Sequence, residues 1–241
     1  MIHASHRIHI YHKHHHRLTA ALTLLAPLIL LALLGGLARA EFLTLLSALG
    51  LSVYRLAIGY SISLVLGILL AVTFGTSKLG DALVPVFDVM QNIPSFALIP
   101  VFALFFGYTN LMAIIFIATS VIWPILFYTL HAIRSARTDL NDAATIFGAT
   151  GLKRVWNYLI PLSWPAIITG SIVGISIGWE AVIGIEIIGF KSGVGVFLNN
   201  ASTSGNSALL TAGIAAILIL VFVINKLVWV PLLRKTEYYG E

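Results

Sequence analysis

The chain has 241 residues, of which 59% are hydrophobic and only 10% charged, and its formal net charge at pH 7 is +5. A soluble domain carries about 25% charged residues, so this composition excludes a soluble globular protein and indicates that lipid covers most of the surface. The chain has no cysteine, which excludes a disulfide framework and a thiol-ligated metal site.

Residues 1–17 form a tail that holds seven of the eight histidines. Such tracts can bind Zn, Ni or Cu. The alternative is a flexible basic tail lying against anionic head groups. We favour the second reading, because a metal site would be expected to draw on a second cluster and the rest of the chain offers only His131.

Long runs without Asp, Glu, Lys or Arg predict the membrane spans, since a spanning helix needs roughly 20 apolar residues. The first run is longer than the apolar core of a signal peptide, about 7–15 residues, and is therefore expected to remain as a span. A turn-like FGYTN sequence (106–110) divides the longest run in two. The sequence thus predicts an all-α membrane protein with six spans, near residues 18–38, 55–76, 90–107, 111–132, 163–189 and 208–230.

The Lys and Arg residues predict the orientation of these spans. Eleven of the fourteen lie in the N-terminal tail, in the segments 77–89 and 133–162, or at the C-terminal end. Positive residues collect in the cytoplasm. We therefore expect both termini and the 133–162 segment to be cytoplasmic, and Arg55 to lie at the outer interface. The basic balance does not indicate nucleic-acid binding, because no basic patch interleaved with aromatic residues is present.

The second and third predicted spans carry glycines and prolines. Gly59, Gly67 and Gly75 lie eight residues apart, a spacing that drifts about 80° around a helix and indicates close helix packing and no more. Pro94 and Pro100 interrupt the third span. A kinked helix is tolerated in lipid where protein or water satisfies the freed carbonyls, so this span either packs inside the bundle or lines a path.

Span five contains Trp179 and two carboxylates, Glu180 and Glu186. A charge at the bilayer centre costs about 2.5–3.5 kcal/mol on insertion scales. At 1.5 Å per residue from Pro165, Glu180 lies at depth and Glu186 near the outer interface. Glu180 is expected either to face a water-filled pathway or to be a buried partner of a helix-end residue. The two carboxylates point in different directions and do not form an acid/base dyad.

The cytoplasmic stretch 142–161, DAATIFGATGLKRVWNYLIP, is longer and more structured than an ordinary connection of 2–8 residues. Thr138 is a candidate helix cap, Gly148 a turn, and 152–159 a second short helix that Pro161 and Pro165 end. Lys153 and Arg154 can reach phosphates or a partner. The stretch is either a docking surface or an interfacial helix resting on lipid.

This stretch resembles the EAA loop of ABC-importer permeases, whose pattern is E-A-A, three residues, G, nine residues, I, one residue, L-P. The matching positions are Asp142, Ala143, Ala144, Gly148, Tyr158, Ile160 and Pro161. The likeness extends over about 50–235 and is strongest to the nitrate/sulfonate/taurine branch, through phrases such as SVYRLAIGYSISLVLGILL and WEAVIGIEIIGFKSGVG. In that branch a Trp precedes an Ala-Glu pair, and a Gly-Leu-Gly motif follows. Glu186 matches the carboxylate, whereas Ile185 replaces the Ala and Gly193-Val-Gly195 replaces the Gly-Leu-Gly.

The resemblance implies a type I importer permease in a prokaryotic inner membrane, with residues 18–235 as the permease domain and 236–241 as a cytoplasmic tail. Its partners would be a pair of ATPase subunits, an extracytoplasmic binding protein and a second permease copy. A related second permease is the alternative to a homodimer. The coupling positions would be Asp142, Ala143, Ala144, Gly148, Lys153, Arg154, Ile160 and Pro161, and the path would include Pro94, Pro100, Trp179, Glu180 and Glu186.

The chain itself is not expected to be an enzyme. It contains no G-x-x-x-x-G-K-[ST] phosphate loop, so ATP and Mg would be bound by the partner ATPase and this chain would need no cofactor. One competing hypothesis is a secondary transporter or channel that couples ions through intramembrane carboxylates. Another is an intramembrane enzyme, which would need, for instance, a serine and a histidine at membrane depth. Against this hypothesis, the only histidine near a span is His131, and it lies at a cytoplasmic end.

Overall fold

The computed structural model describes residues 39–136, 146, 148 and 150–237, and every regular element in these ranges is a helix. Helix α1 is Arg39–Thr76, α2 is Lys78–Met90, a 3-10 turn (Ser95–Leu98) leads into α3 (Ile99–Phe106), and α4 is Asn110–Arg134. Helix α5 comprises Gly151–Arg154, a π-helical turn Val155–Leu159 and Ile160–Gly189. Helix α6 is Val194–Thr203, and α7 comprises Ser207–Ile224, a second π-helical turn Asn225–Trp229 and Val230–Glu237.

Within the described residues, four helices (α1, α4, α5 and α7) are long and apolar enough to cross a membrane. A fifth crossing is available if α2 and the 95–106 segment, which are bent by 87° relative to each other, count as one broken span. The all-α membrane fold predicted from the sequence is confirmed. The predicted span 18–38 and the helix predicted to begin after Thr138 lie outside the described residues.

Helix α1 begins well before the predicted start of its span at residue 55. It has 38 residues, or about 57 Å at 1.5 Å per residue, nearly twice the roughly 30 Å of a bilayer core. The stretch 39–54 contains no proline that would end a helix. The sequence placed Arg55 at an interface because of its charge, but its side chain is 3% exposed and is paired inside the protein.

The sequence-based expectation that Pro161 and Pro165 separate a short helix from the next span is wrong. Helix α5 runs through both prolines. A proline in a helix clashes with the carbonyl four residues earlier, which for Pro161 lies in the π-helical turn. There the bonding is wider, because the Ile160 N–H donates to the carbonyl of Val155, five residues back. The wider turn thus accommodates the proline without ending the helix.

Helices α1 and α4 run parallel and meet along a seam of glycines. A Cβ on Gly59 would lie 2.8 Å from Ile117, one on Gly67 2.9 Å from Ile125, and one on Gly75 2.7 Å from Ile133. The drift predicted for the glycine spacing does not carry them away from one partner. The contacted isoleucines are also eight residues apart, so the contact repeats in register along both helices.

Helix α4 also packs against α5, which runs antiparallel to it. Gly170, Gly174 and Gly178 form the contact. A Cβ on Gly170 would lie 2.8 Å from the Pro124 carbonyl oxygen, and one on Gly174 would lie 3.0 Å from Val121. Because both neighbours approach α4 through glycines, these three helices form the packed centre of the fold.

The bundle has two ends that differ in charge. At one, which we call the basic end, the last turn of α1, the start of α2, the end of α4 and the start of α5 converge around Lys78, Arg134 and Arg154. At the other, the α6 end, helix α6 lies over α1 and the C-terminal end of α5. The turn predicted at FGYTN is confirmed there. Gly107 has φ 59°, and the Thr109 hydroxyl accepts a hydrogen bond of 3.3 Å from the Met112 N–H at the start of α4.

Candidate functional site

A buried ion pair joins α1 to α5 near the α6 end. The Arg55 Nη1 donates to Glu186 Oε1 at 2.7 Å, and the two side chains are 3% and 0% exposed. The Ser52 hydroxyl, one helical turn before Arg55, lies 2.8 and 2.9 Å from the two carboxylate oxygens of Glu186. The Gly195 N–H donates to Oε2 at 2.9 Å. The carboxylate is therefore satisfied on both oxygens, as a buried charge requires.

The Arg55 guanidinium has further partners on two other elements. Its Nε donates to the Asn110 Oδ1 at 2.9 Å, and its Nη1 to the Ser192 carbonyl oxygen at 2.8 Å. Its central carbon lies 4.7 Å from the centre of the Phe190 ring, within the range of a cation–π contact. One side chain of α1 thus holds the start of α4 and the loop that follows α5.

Two glycines allow the loop before α6 to close over the ion pair. Gly193 has φ 124°, a conformation that L side chains rarely adopt, and a Cβ there would clash with the Glu186 carboxylate. A Cβ on Gly195 would lie 2.7 Å from Cβ of Glu186. The Val194 N–H, between them, donates to the Ser52 hydroxyl at 2.8 Å. The contact with Glu186 therefore requires glycine at positions 193 and 195.

Glu186 is expected on the translocation path, but the structure buries it completely. Its pairing with Arg55 is not predicted from the sequence. Their depth could have indicated the pairing, because Arg55 and Glu186 are both expected near the outer interface and lie on different helices. A carboxylate with an arginine, a serine and a backbone N–H around it is unsuited to carrying ions through a membrane, because releasing it would leave a buried arginine charge uncompensated.

Glu180 lies on a different face of α5 from Glu186. The exposed face of this helix includes Val173, Ser176, Glu180 and Ile187, which follow the three- and four-residue spacing of one helical face. Glu180 is six residues before Glu186, or about 9 Å further from the α6 end along the helix. On this face of α5, a single chain therefore leaves the Glu180 carboxylate and the Ser176 hydroxyl uncovered.

Trp179, also predicted to line the path, is buried in the core, with 6% of its surface exposed. Its indole Nε1 has no hydrogen-bond partner within the part of the chain that the structure describes. Buried indole N–H groups usually find a partner. Trp179 thus lies beside Glu180 in sequence but does not share its exposed face.

Pro94 and Pro100 both lie on the surface of the single chain. Pro94 caps the 3-10 turn at the break between α2 and α3, and Pro100 lies in the first turn of α3. In α3 only Ile99 is buried, while Leu104 and Phe105 are 82% and 75% exposed. This segment was expected either to pack inside the bundle or to line a path. In one chain it packs on one side only: Ile99 lies in the core and Phe102 contacts Phe116, whereas the opposite side of α3 is uncovered.

At the basic end, the structure places part of the predicted coupling stretch. Asp142, Ala143 and Ala144 lie outside the described residues. Gly148 has φ 77° and is exposed, as a turn between two helical pieces requires. Of the predicted coupling residues that follow Gly148, Lys153 and Pro161 are exposed, and Arg154 and Ile160 are partly buried. Leu159 is buried and anchors this segment against α1 and α4.

Residues 63–229 match the family described as "Binding-protein-dependent transport system inner membrane component". The chain belongs to this family. It is thus a multi-pass inner membrane protein, and because the family is one of transport components, the prediction that the chain is not itself an enzyme is confirmed. The resemblance to ABC-importer permeases drawn from the EAA-like pattern is likewise confirmed.

Several curated relatives are permeases. The nitrate import permease protein NrtB of Synechococcus elongatus is 31% identical over 156 residues, which cover 64% of this chain and 56% of that protein. The taurine transport system permease protein TauC of Escherichia coli is 25% identical over 199 residues, or 82% of this chain and 72% of that protein. The matches to three nitrate permeases span only 56–64% of their lengths.

The fold is also that of a solved transporter. A chain from inward-facing conformations of the MetNI methionine ABC transporter superposes with a TM-score of 0.71 at 17% identity. The superposition covers 83% of this chain and 99% of that chain. At this identity the likeness concerns the fold alone.

Proposed function

We propose that this chain is the membrane-spanning subunit of an ATP-driven importer in which two copies enclose the translocation path, with the exposed face of α5 turned toward it. The observation that carries the proposal is Glu180, uncovered at membrane depth in a single chain. A carboxylate facing lipid at the bilayer centre costs about 2.5–3.5 kcal/mol. Water in a path, or a second copy, removes that cost.

The same proposal accounts for the exposed α3 helix. Leu104, Phe105 and the two exposed prolines form a surface that one chain leaves uncovered. A second copy related by two-fold symmetry would bury the same surface on both partners. In this arrangement α3 and α5 lie near the symmetry axis, and a related second permease in place of an identical copy is the alternative.

Energy is proposed to enter at the basic end. Gly148 and the exposed segment that follows it would dock on an ATPase subunit, which binds the ATP and Mg, so that this chain needs no cofactor. The positive residues at this end favour a cytoplasmic location, with both termini on that side. The α6 end would then face an extracytoplasmic binding protein.

The substrate class is proposed to be a small anion, because the relatives' names specify nitrate, taurine, aliphatic sulfonates and bicarbonate. A carboxylate on the path repels an anion and attracts an amine. We therefore expect Glu180→Gln to leave nitrate uptake unchanged or faster, and to slow uptake of a substrate that carries an ammonium group, such as taurine.

The experiment for docking uses the full chain co-expressed with its ATPase and binding protein. Gly148→Glu should abolish co-purification of the ATPase while membrane insertion stays normal. Gly205→Glu is a matched control: Gly205 also has a positive φ (68°), likewise with nothing within 4 Å of a Cβ position, but it lies between α6 and α7 at the other end. Co-purification that survives Gly148→Glu would reject the docking role.

A secondary transporter would behave differently in proteoliposomes. Uptake by the chain alone, driven by an ion gradient without ATP, would favour that alternative. Uptake that requires ATP, the ATPase and the binding protein together would support the importer.

A further inference from the structure

We infer that the exposed face of α5 carries a recognition site for an ammonium group, formed by the Glu180 carboxylate, the Ser176 hydroxyl and the Phe96 ring. Ser176, Glu180 and Gly184 follow one another at intervals of four residues, so they lie one above the other on one side of the helix. The inference rests on the proposed translocation path along this face. It narrows the proposed substrate from a small anion to one that also carries an ammonium group.

The Phe96 ring takes the place of a side chain that α5 lacks at Gly184. A Cβ on Gly184 would clash with this ring. Because positions four residues apart on a helix have their Cβ atoms about 5–6 Å apart, the ring lies about one turn from Glu180, toward the α6 end. A cation on the Glu180 carboxylate is then within about 6 Å of the ring, the reach of a cation–π contact. Phe96 is 40% exposed, so part of the ring remains open to a ligand.

The polar atoms on this side of α5 offer hydrogen-bond acceptors. The Ser176 hydroxyl donates to the Ile172 carbonyl oxygen at 3.1 Å, which leaves its lone pairs for a ligand. Neither of the two ion pairs found among the described residues involves Glu180. A carboxylate and a hydroxyl oxygen match the three N–H donors of an ammonium group, whereas nitrate has no donor to offer them.

Polar side chains at the break between α2 and α3 indicate that water reaches the Phe96 ring. Asp88 and Asn92 are exposed there, and Asp88 Oδ1 accepts a hydrogen bond of 2.6 Å from the Gln91 Nε2. A charged side chain in contact with lipid is costly, and a broken span is tolerated where it lines a water-filled cavity or is buried in protein. The segment that leads to Phe96 is therefore suited to a wet cavity.

The test uses single cysteines, which the chain permits because it has none of its own. Ser176→Cys is made in the full chain, co-expressed with its ATPase and binding protein and placed in lipid nanodiscs, which expose both membrane faces. During ATP turnover the thiol is treated with two methanethiosulfonates, one ending in trimethylammonium and one in sulfonate, and modification of the chain is followed by mass spectrometry. Each rate is divided by that of free cysteine, so the ratio of the two reports the local charge.

The cationic reagent should react at least about tenfold faster than the anionic one, because a carboxylate one turn away attracts one charge and repels the other. Adding Glu180→Gln should remove most of this preference. Adding Phe96→Leu should reduce it about two- to fivefold, the size of a cation–π contact at an exposed site. Phe105→Leu, the same change at an exposed position of α3, is the matched control and should leave the preference unchanged.

Ser61→Cys is the matched control for water access. The Ser61 hydroxyl is also exposed and donates to the carbonyl four residues earlier. It lies at the level of Ser176, because Gly59 and Gly178, each two residues away from one of the serines, both approach Ile117. On α1 it is surrounded by apolar side chains that a single chain leaves exposed, so this variant should react with neither reagent.

Taurine and 2-hydroxyethanesulfonate, which has a hydroxyl in place of the ammonium group, give a second readout. Taurine should slow the reaction of Ser176→Cys with the cationic reagent, and the hydroxyl analogue should not. A preference that persists with Glu180→Gln, or equal protection by the two sulfonates, would overturn the ammonium site. An unchanged preference with Phe96→Leu would overturn the role of the ring. Failure of both reagents to modify Ser176→Cys, as for Ser61→Cys, would instead refute the proposed path along α5.

Discussion

Removing the charge of Glu186 should destabilise the fold strongly, whereas the same change at Glu180 should not. Glu186→Gln leaves Arg55 with its Asn110, Ser192 and Phe190 contacts but without the carboxylate that lies 2.7 Å away. Breaking a buried pair by removing one partner costs about 3–5 kcal/mol. For a chain of this size, 1 kcal/mol corresponds to about 2–4 °C, so the melting temperature should fall by about 6–20 °C.

The assay is thermal unfolding of the full chain in a mild detergent, followed by the loss of a monodisperse peak in size-exclusion chromatography. Glu180→Gln is the matched control, because it makes the same chemical change six residues earlier on an exposed position of the same helix. Substitutions of that kind usually stay within about 0.5 kcal/mol, or about 2 °C or less.

A double-mutant cycle tests whether the pair itself is responsible. Arg55→Met alone leaves the Glu186 carboxylate buried with Ser52 and the Gly195 N–H as its remaining partners. Combined with Glu186→Gln it removes both charges, so the double variant should be less destabilised than the sum of the single variants, by about 1–3 kcal/mol. A sum that is simply additive, or a Glu186→Gln melting temperature equal to that of the Glu180→Gln control, would refute the reasoning.

Three smaller effects follow from the packing. Gly170→Ala should lower the free energy of unfolding by about 1–3 kcal/mol, because its Cβ would lie 2.8 Å from the Pro124 carbonyl oxygen and 3.0 Å from the α-carbon of Ile125. Gly50→Ala, with nothing within 4 Å, should instead raise it by up to about 1 kcal/mol. Equal melting temperatures for the two variants would contradict the contact. Gly193→Ala should expose the α6 end to limited proteolysis between α5 and α6, and a digestion pattern like that of wild type would argue against the clash with Glu186. Thr109→Ala should remove the cap of α4 and lower stability by about 1 kcal/mol, measured in the same thermal assay.

The broad architecture was predictable because the physics of a bilayer constrains it tightly. Apolar runs have to form helices there, since unsatisfied backbone groups are too costly in lipid, and α4 and α5 contain the spans that the sequence assigned to them. The boundary of α1 was missed because a charged residue was taken as the end of a span. Arg55 is compatible with the interior only because Glu186, 131 residues away in the chain, neutralises it.

The candidate site was predictable only in part for a related reason. Whether a carboxylate faces a path or a partner depends on the rotation of its helix and on what packs against each face. A 240° difference in direction separates Glu180 from Glu186, but the sequence does not say which of the two faces is covered. The glycines were similarly incomplete as a signal, since their spacing indicated close packing without indicating that Gly59, Gly67 and Gly75 all meet α4.

The π-helical turn Val155–Leu159 has a geometric consequence for the two parts of α5 that it joins. An inserted residue in an α-helix changes the phase of everything beyond it by about 100°. The π-helical turn therefore fixes the angle, about the axis of α5, between the segment around Lys153 and the face that carries Glu180. Deleting a single residue from the turn would rotate one relative to the other while keeping the length of the helix almost the same.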